Sequence, residues 1–200
     1  MSIKVFRQFT PFYFYTAVSL FLGVAAATGK GPPNTNTTLS LLIILGFLSW
    51  CVVEYVLHRF IFHLDARLIP GRKFVNASHL SHHENPRETH DLFASMKIST
   101  PLAAAYWLLA WAALGSWRSA SYLLIGLIAG YFCYEWLHFQ AHHRRPRLRL
   151  LRYLKKYHLL HHYRTPSLRF GVTSPLMDLL FGTFRPAAET SSSLNRARRD

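Results

Sequence analysis

Four long apolar runs dominate the pattern of hydrophobic and polar positions along the chain. They are residues 12–28, 39–57, 101–117 and 119–137. The only charged side chains within them are Glu54 and Glu135. Each run approaches the length that a helix needs to cross a bilayer, whereas a surface helix would carry polar residues on one face. The pattern predicts an all-α, polytopic membrane protein with about four transmembrane helices.

Positive charges decide between this interpretation and its alternative, a soluble bundle of four buried helices. Of the 23 Lys and Arg residues, only Lys30 and Arg118 lie in the connections between runs one and two and between runs three and four. Two precede the first run, six lie between residues 57 and 101, and thirteen follow residue 137. By the positive-inside rule, this bias predicts a multi-pass protein with both termini and the central loop in the cytoplasm.

The formal net charge of +14 is compatible with nucleic-acid binding, but no nucleic-acid recognition motif accompanies it. Attraction to a membrane surface explains the charge more simply. Residues 144–157 interleave Arg and Lys with leucines, which is typical of an interfacial helix on anionic lipid. Cys51 and Cys133 fall within predicted spans, so we expect free thiols and no disulfide.

The twelve histidines form a repeat. They occur as HRFIFH (His58, His63), HLSHH (His79, His82, His83), HFQAHH (His138, His142, His143) and HLLHH (His158, His161, His162), with His90 alone. Most of the first two clusters recurs 79 residues later, and a glutamate precedes the first pair of each half. Such an internal repeat implies two similar half-sites that face each other.

Helical geometry separates ligand pairs from bystanders. His138 and His142 are one turn apart on one face, which is a metal-chelating spacing. In each HxxHH cluster the rings fall within an arc of about 100°, and the second cluster shares this arc with Leu151 and Leu154, so its rings should point inward. His58 and His63 would lie about 140° apart on a straight helix. Either the helix ends near Phe62 and both rings join one site, or the two rings serve different ions.

Ten rings in a duplicated pattern exceed what one ion can bind, and two ions with about five nitrogens each is the natural count. Imidazole suits zinc, copper, iron and nickel, so the ligand type does not choose the metal. A two-metal, all-histidine site beside a bilayer fits iron that activates O2. His90, standing alone, is expected to be a hydrogen-bonded or interfacial residue.

The ordered boxes HX4H, HX2HH, HX3H and HX2HH resemble those of the fatty acid hydroxylase and sterol desaturase superfamily of membrane dimetal oxygenases. EYVLHRFIFH and LKKYHLLHHYRTPSLRFGVTSPLMDLLFGTF resemble the catalytic domain of fatty acid 2-hydroxylases, and the resemblance covers about residues 50–184. It implies a membrane-bound, O2-dependent diiron hydroxylase of a fatty acyl chain at or near carbon 2. The metal ligands implied by position are His58, His63, His79, His82, His83, His138, His142, His158, His161 and His162.

The resemblance also implies cofactors and partners. We expect two iron ions, with zinc possible in purified protein, and no haem or flavin bound by this chain. The implied partners are a lipid or fatty acyl substrate, O2, membrane lipids and a separate electron donor, and nucleic acid is not among them. The donor is expected to be separate because eukaryotic members often carry an N-terminal cytochrome domain, whereas few residues precede the first span here. It would be a ferredoxin or a b-type cytochrome with its reductase.

The expected organisation is a single hydroxylase domain over residues 1–200. A cytoplasmic, histidine-rich helical cap would comprise residues 58–100 and 138–186, and residues 187–200 are expected to be disordered. Two alternatives stay open. One is a carotenoid or sterol hydroxylase or desaturase of the same superfamily, and the other is a non-redox metal-binding membrane protein.

Four further residues are candidates for supporting roles around the metal ions. Glu54 and Glu135 each share a helical face with a ligand, so they could orient imidazole N–H groups; as helix-end polar residues they would instead reach water or pair with Arg. His143 lies beside a matched box but outside the pattern, and is either a supporting residue or neutral. For Asp178 a structural cap or hydrogen bond is favoured over catalysis.

Overall fold

The computed structural model describes residues 3–29, 36–63, 73–86, 88 and 93–187, and all regular structure within them is helical. The elements are α1 (Ile3–Thr28), α2 (Asn36–Val56), a π-helical turn (Leu57–Phe62), α3 (Lys73–Glu84), α4 (Met96–Leu114), α5 (Trp117–His143), α6 (Arg149–Tyr163) and α7 (Leu176–Leu180). The all-α class is therefore confirmed for the described part of the chain.

Among the described residues, three stretches of helix are long and apolar enough to cross a membrane: Thr10–Thr28, Thr38–Phe62 and Trp117–His143. Large apolar side chains on these helices face outward, including Phe21, which is 72% exposed. Such exposure is unfavourable in water and suits contact with lipid. These features indicate an integral membrane protein. Most of the run at 101–117 lies in α4, which is not among the three stretches, so the count of four spans stays a prediction.

Helices α4 and α5 have different bounds from the apolar runs 101–117 and 119–137. Helix α4 ends at Leu114 because Gly115 adopts a left-handed conformation, with φ of 62°, and its N–H closes the last turn on the Trp111 carbonyl at 2.9 Å. Trp117 then begins α5, which runs unbroken to His143 and so passes the expected start of the cap at residue 138.

The first of two compact units comprises Met1–Trp50 and Thr89–Cys133. Polar side chains join its helices in an apolar setting. Tyr15 donates a hydrogen bond to Ser99 Oγ at 2.9 Å, the Trp107 indole donates to Ser121 Oγ at 3.1 Å, and Arg118 donates to the Ala26 carbonyl near the end of α1 at 2.6 Å. The last contact also places a positive charge at a helix C-terminus, where the helix dipole favours it.

Within this unit, α2 and α5 cross at glycines. A Cβ on Gly46 would lie 2.0 Å from the Leu123 carbonyl oxygen, and one on Gly126 would lie 2.1 Å from that of Ile43. No side chain fits at either position, so the two backbones are in direct contact. Small residues commonly allow such close helix packing in membranes, where apolar burial gives little driving force.

The second unit comprises Cys51–Glu88 and Tyr134–Asp200 and holds every described histidine. The inward orientation predicted for the last cluster is confirmed, since His158, His161 and His162 are buried on α6 together with Leu154. Ala187, assigned by sequence to a disordered tail, is instead buried. His90 and residues 188–200 lie outside the described part of the chain.

Neither Cys51 nor Cys133 forms a disulfide. Cys133 belongs to the first unit, whereas Cys51 belongs to the second, where it packs against a small core of Tyr55, Phe170 and Met177. No disulfide therefore constrains either unit within the described residues.

We expect Gly126→Ala to destabilise the protein by roughly 1–3 kcal/mol, because the added methyl group forces the two backbones apart. Gly23→Ala is the matched control: its Cβ would meet only the Ile125 side chain, at an ordinary 3.8 Å, so it should be neutral or slightly stabilising. Thermal unfolding in detergent measures both variants. Equal stability of the two would contradict the close crossing.

Candidate metal centre

The structure gathers the ten histidines of the repeated boxes into two groups of five. The first group is His58, His63, His79, His83 and His161, and the second group is His82, His138, His142, His158 and His162. Within each group, one candidate ligand atom from every ring lies within 4.8 Å of the others. Each group could therefore hold one metal ion. The groups touch where the rings of His83 and His162 stack at 3.9 Å.

Each half of the repeat supplies four rings to one group and one ring to the other. His82 comes from the first half but belongs to the second group, and His161 comes from the second half but belongs to the first group. These two residues are equivalent in the repeat, 79 positions apart. The exchange is thus reciprocal, and neither half can complete a group alone.

The π-helical turn resolves the spacing of His58 and His63. At the end of α2 the hydrogen bonding widens, and His63 N–H donates to the His58 carbonyl at 3.2 Å. In this i→i+5 pattern five residues make about one turn, so His63 lies on the same face as His58. The centroids of the two rings are 5.1 Å apart. The helical geometry ends at Phe62, which was the condition for both residues to join one site.

The ring nitrogens are spaced as ligands of a common ion would be. In the first group, His63 Nε2 lies 3.0 Å from His79 Nε2 and 3.1 Å from His161 Nε2. In the second group, His142 Nε2 lies 2.9 Å from His158 Nε2 and 3.2 Å from His82 Nε2. Metal–nitrogen bonds of about 2.1 Å place ligands about 3.0 Å apart at right angles and about 3.4 Å apart in a tetrahedron. The observed values fit five or six ligands better than four.

Hydrogen bonds fix the tautomer of two rings in the first group. His58 Nδ1 donates to the Phe170 carbonyl, and His161 Nδ1 donates to the Leu168 carbonyl at 2.7 Å. Nε2 of both neutral rings then carries a lone pair. His58 Nε2 is buried and has no hydrogen-bond partner among the described residues. An orphaned acceptor beside four other rings is what a metal ion would satisfy, so the residues fit the group that the sequence implies.

Burial keeps these imidazoles neutral. It lowers the pKa of His63 to about 4 and that of His83 to about 3, and the second of these is lowered further by neighbouring rings. Burial first, and then the rings around it, hold the pKa of His79 well below its usual range. At pH 7 the rings therefore present lone pairs rather than charges, which is the form that binds metal.

Three of the candidate supporting residues have clear positions. Glu54 is buried and does not bond an imidazole, contrary to both expectations for it; it accepts hydrogen bonds from the Val172 and Thr173 backbone and from the Thr173 hydroxyl. His143 belongs to neither group, and its ring stacks on Phe139 at 5.0 Å. Asp178 accepts four hydrogen bonds, in agreement with a structural role.

Glu135 is fully buried, so it does not reach water as a helix-end residue would. Its part in orienting an imidazole stays a prediction. Sequence reasoning missed Leu168 and Phe170, because each contributes a backbone carbonyl that leaves no side-chain signal. Gly171 was an available signal: a Cβ there would lie 2.1 Å from the Ser174 carbonyl oxygen, so this turn requires glycine.

A family model described as fatty acid hydroxylase matches residues 43–183. The chain belongs to the fatty acid hydroxylase family. It is 31% identical over 173 residues to a dihydroceramide fatty acyl 2-hydroxylase of Arabidopsis thaliana, which covers 86% of this chain and 71% of the relative. It is 38% identical over 164 residues to a ceramide very long chain fatty acid hydroxylase of Saccharomyces cerevisiae, covering 78% of this chain but only 41% of that relative.

A solved structure agrees with this membership of the fatty acid hydroxylase family. The visible hydroxylase domain of full-length scs7p superposes with a TM-score of 0.75 at 32% identity, and the match covers 90% of this chain and 67% of that one. As a fatty acid hydroxylase family member, the chain is an oxidoreductase of the monooxygenase type. The resemblance drawn from the histidine boxes is confirmed.

Adjacent histidines provide a sharp test of the grouping. We expect His142→Ala to lower bound metal from two ions to about one per chain after dialysis against a weak chelator, because it removes a ring from the second group. His143→Ala should leave both ions bound, since its ring lies outside both groups. Elemental analysis of the purified proteins measures the metal, and equal losses in the two variants would contradict the grouping.

Proposed function

We propose that this protein is a membrane-bound, O2-dependent diiron hydroxylase that acts at or near carbon 2 of a fatty acyl chain in a lipid. The observation that carries this function is the convergence of ten imidazoles, seven buried and three partly buried, into two groups of five, in a chain of the fatty acid hydroxylase family. The all-nitrogen donor set suits iron, and zinc would be an accepted substitute in purified protein.

Two iron ions bound here would supply the activation of O2: with two external electrons and two protons, one oxygen atom would enter a C–H bond and the other would leave as water. The chain's own residues hold and orient the ions. All ten histidines of the two groups are the proposed ligands. The ring of Phe170 packs against His58, His63 and His161 at 5.5–5.6 Å and keeps that side of the first group dry.

Placement along the chain supports a lipid substrate. His58 lies in the candidate span Thr38–Phe62, and His138 and His142 lie in the candidate span Trp117–His143, in each case near its end. A lipid whose head group rests at the interface has its first acyl carbons at this depth. Several relatives are named as fatty acyl 2-hydroxylases, which supports carbon 2 as the position attacked.

The remaining features of the proposal concern organisation and electron supply. We infer four spans, one hydroxylase domain, and histidine groups and termini in the cytoplasm, on the basis of the distribution of Lys and Arg. Electrons would come from a separate ferredoxin or b-type cytochrome. The basic surface of the second unit, with exposed Arg152, Lys156 and Arg164 on and beside α6, suits an acidic donor.

The comparisons favour this function over the alternatives. The relatives described above are named for hydroxylation of fatty acyl chains or ceramides, which supports the acyl branch over carotenoid or sterol chemistry. A non-redox metal carrier would need charged or metal-binding groups along its spans, whereas the four apolar runs carry only two charged side chains, Glu54 and Glu135, both near one end of their run.

Lipid mass spectrometry tests the function directly. Cells that express the protein with a suitable reductant system should gain one oxygen atom in one class of fatty acyl lipid, and the label should come from 18O2. His161→Ala, which removes a ring from the first group, is the inactive control. Unchanged lipids in cells where the wild-type protein is inserted and metal-loaded would overturn the proposed function.

A further inference from the structure

Two buried carboxylates accept hydrogen bonds from one short segment of the second unit, residues 168–173, which we call the strap. The Phe170 and Gly171 N–H groups donate to Asp178, each at 2.8 Å. The next two N–H groups, of Val172 and Thr173, donate to Glu54. Four consecutive backbone amides are thus held by two side chains from different helices, and both carboxylates are at least 96% buried, with 0% exposure for Asp178 and 4% for Glu54.

The carbonyls of the strap face the metal centre. The Leu168 carbonyl accepts from His161 and the Phe170 carbonyl accepts from His58, and both rings belong to the first group. The backbone between these carbonyls turns through Arg169, which is buried in a left-handed conformation with φ of 62°. A non-glycine residue adopts this conformation only where its surroundings hold it.

The second group does not share this support. Its members His142, His158 and His162 make no hydrogen bond or ring contact with the strap, whereas the Phe170 ring alone contacts three rings of the first group. Two groups that are equivalent in the repeat are therefore held in different ways.

We propose, on the basis of the two-ion function proposed above, that Asp178 and Glu54 are positioning residues that act selectively on the first group. By fixing the strap, they set the tautomer and orientation of His58 and His161, and so the affinity of that group for its ion. The second group keeps its ion whether or not the strap is fixed.

The two carboxylates differ in whether an amide side chain could replace them. Each Asp178 oxygen accepts one backbone N–H and one hydroxyl: Oδ1 from Phe170 and Thr183, Oδ2 from Gly171 and Tyr157. An Asn amide would turn a donor toward one of the two backbone N–H groups. Glu54 instead takes both amides on Oε1, and its Oε2 takes only the Thr173 hydroxyl, which can rotate and accept from a Gln amide.

The test measures metal affinity rather than turnover. Asp178→Asn and Glu54→Ala should weaken binding of one of the two ions by roughly 10- to 100-fold, the usual effect of losing a residue that orients a ligand. Glu54→Gln should retain both ions at wild-type affinity. Chelator competition on the full-length protein in detergent, with Fe²⁺ or Co²⁺ as the probe ion, gives the two affinities.

Combination with a ligand variant identifies the ion that is lost. In a His142→Ala background, where only the first group is intact, Asp178→Asn should remove most of the remaining metal. In a His63→Ala background, where only the second group is intact, the same change should have little effect. Loss in both backgrounds, or in neither, would overturn selective positioning.

Further variants separate positioning from stability. Gly126→Ala lies in the first unit and destabilises the protein without touching the strap, so it should keep both ions. Tyr157→Phe removes one of the four donors to Asp178 with little change of shape, and it serves as the test if Asp178→Asn fails to fold. It should slightly weaken the binding of an ion to the first group. The absence of any selective change would overturn the inference. If the wild-type protein bound fewer than two ions, the proposed function itself would fail instead.

Discussion

The structure depends on the convergence of ten imidazoles, seven of them buried and three partly buried, whose ring nitrogens meet in two groups. A buried polar atom without a partner costs about 1–3 kcal/mol, and rings brought to 2.9–3.2 Å of one another cannot all be satisfied by the single N–H that each neutral ring carries. A metal ion, which accepts lone pairs, would satisfy the nitrogens of a whole group at once. The helices of the second unit therefore bring together two groups that could each hold a cation, in a chain that is already strongly positive.

The reciprocal exchange of His82 and His161 extends this constraint along the chain. Because each half of the repeat lends one ring to the other half's group, neither half has a complete ligand set by itself. A duplicated sequence thus gives two groups, each with ligands from both halves of the repeat. The strap breaks the equivalence of the groups, since its carbonyls reach only the first.

Two irregular features of the backbone position histidine rings at this centre. The π-helical turn at Leu57–Phe62 brings His58 and His63 onto one site, and the left-handed Arg169 lies between the two carbonyls that orient His58 and His161. Both features are irregular and energetically costly in isolation, and both occur beside the rings that they place.

The sequence by itself determined the helical class, the ten rings and their division into a repeat, because apolar runs and histidine boxes are read directly from residue order. The apolar runs do not show that α4 ends before Gly115, where the backbone makes a left-handed turn. A single helical period also could not decide whether His58 and His63 belong to the same site. Only the tertiary structure decided which rings share a group, that Glu54 and Asp178 hold a backbone segment rather than an imidazole, and that this segment serves one group. Those outcomes rest on contacts between residues up to 119 positions apart, and on carbonyl and amide groups that every residue carries alike.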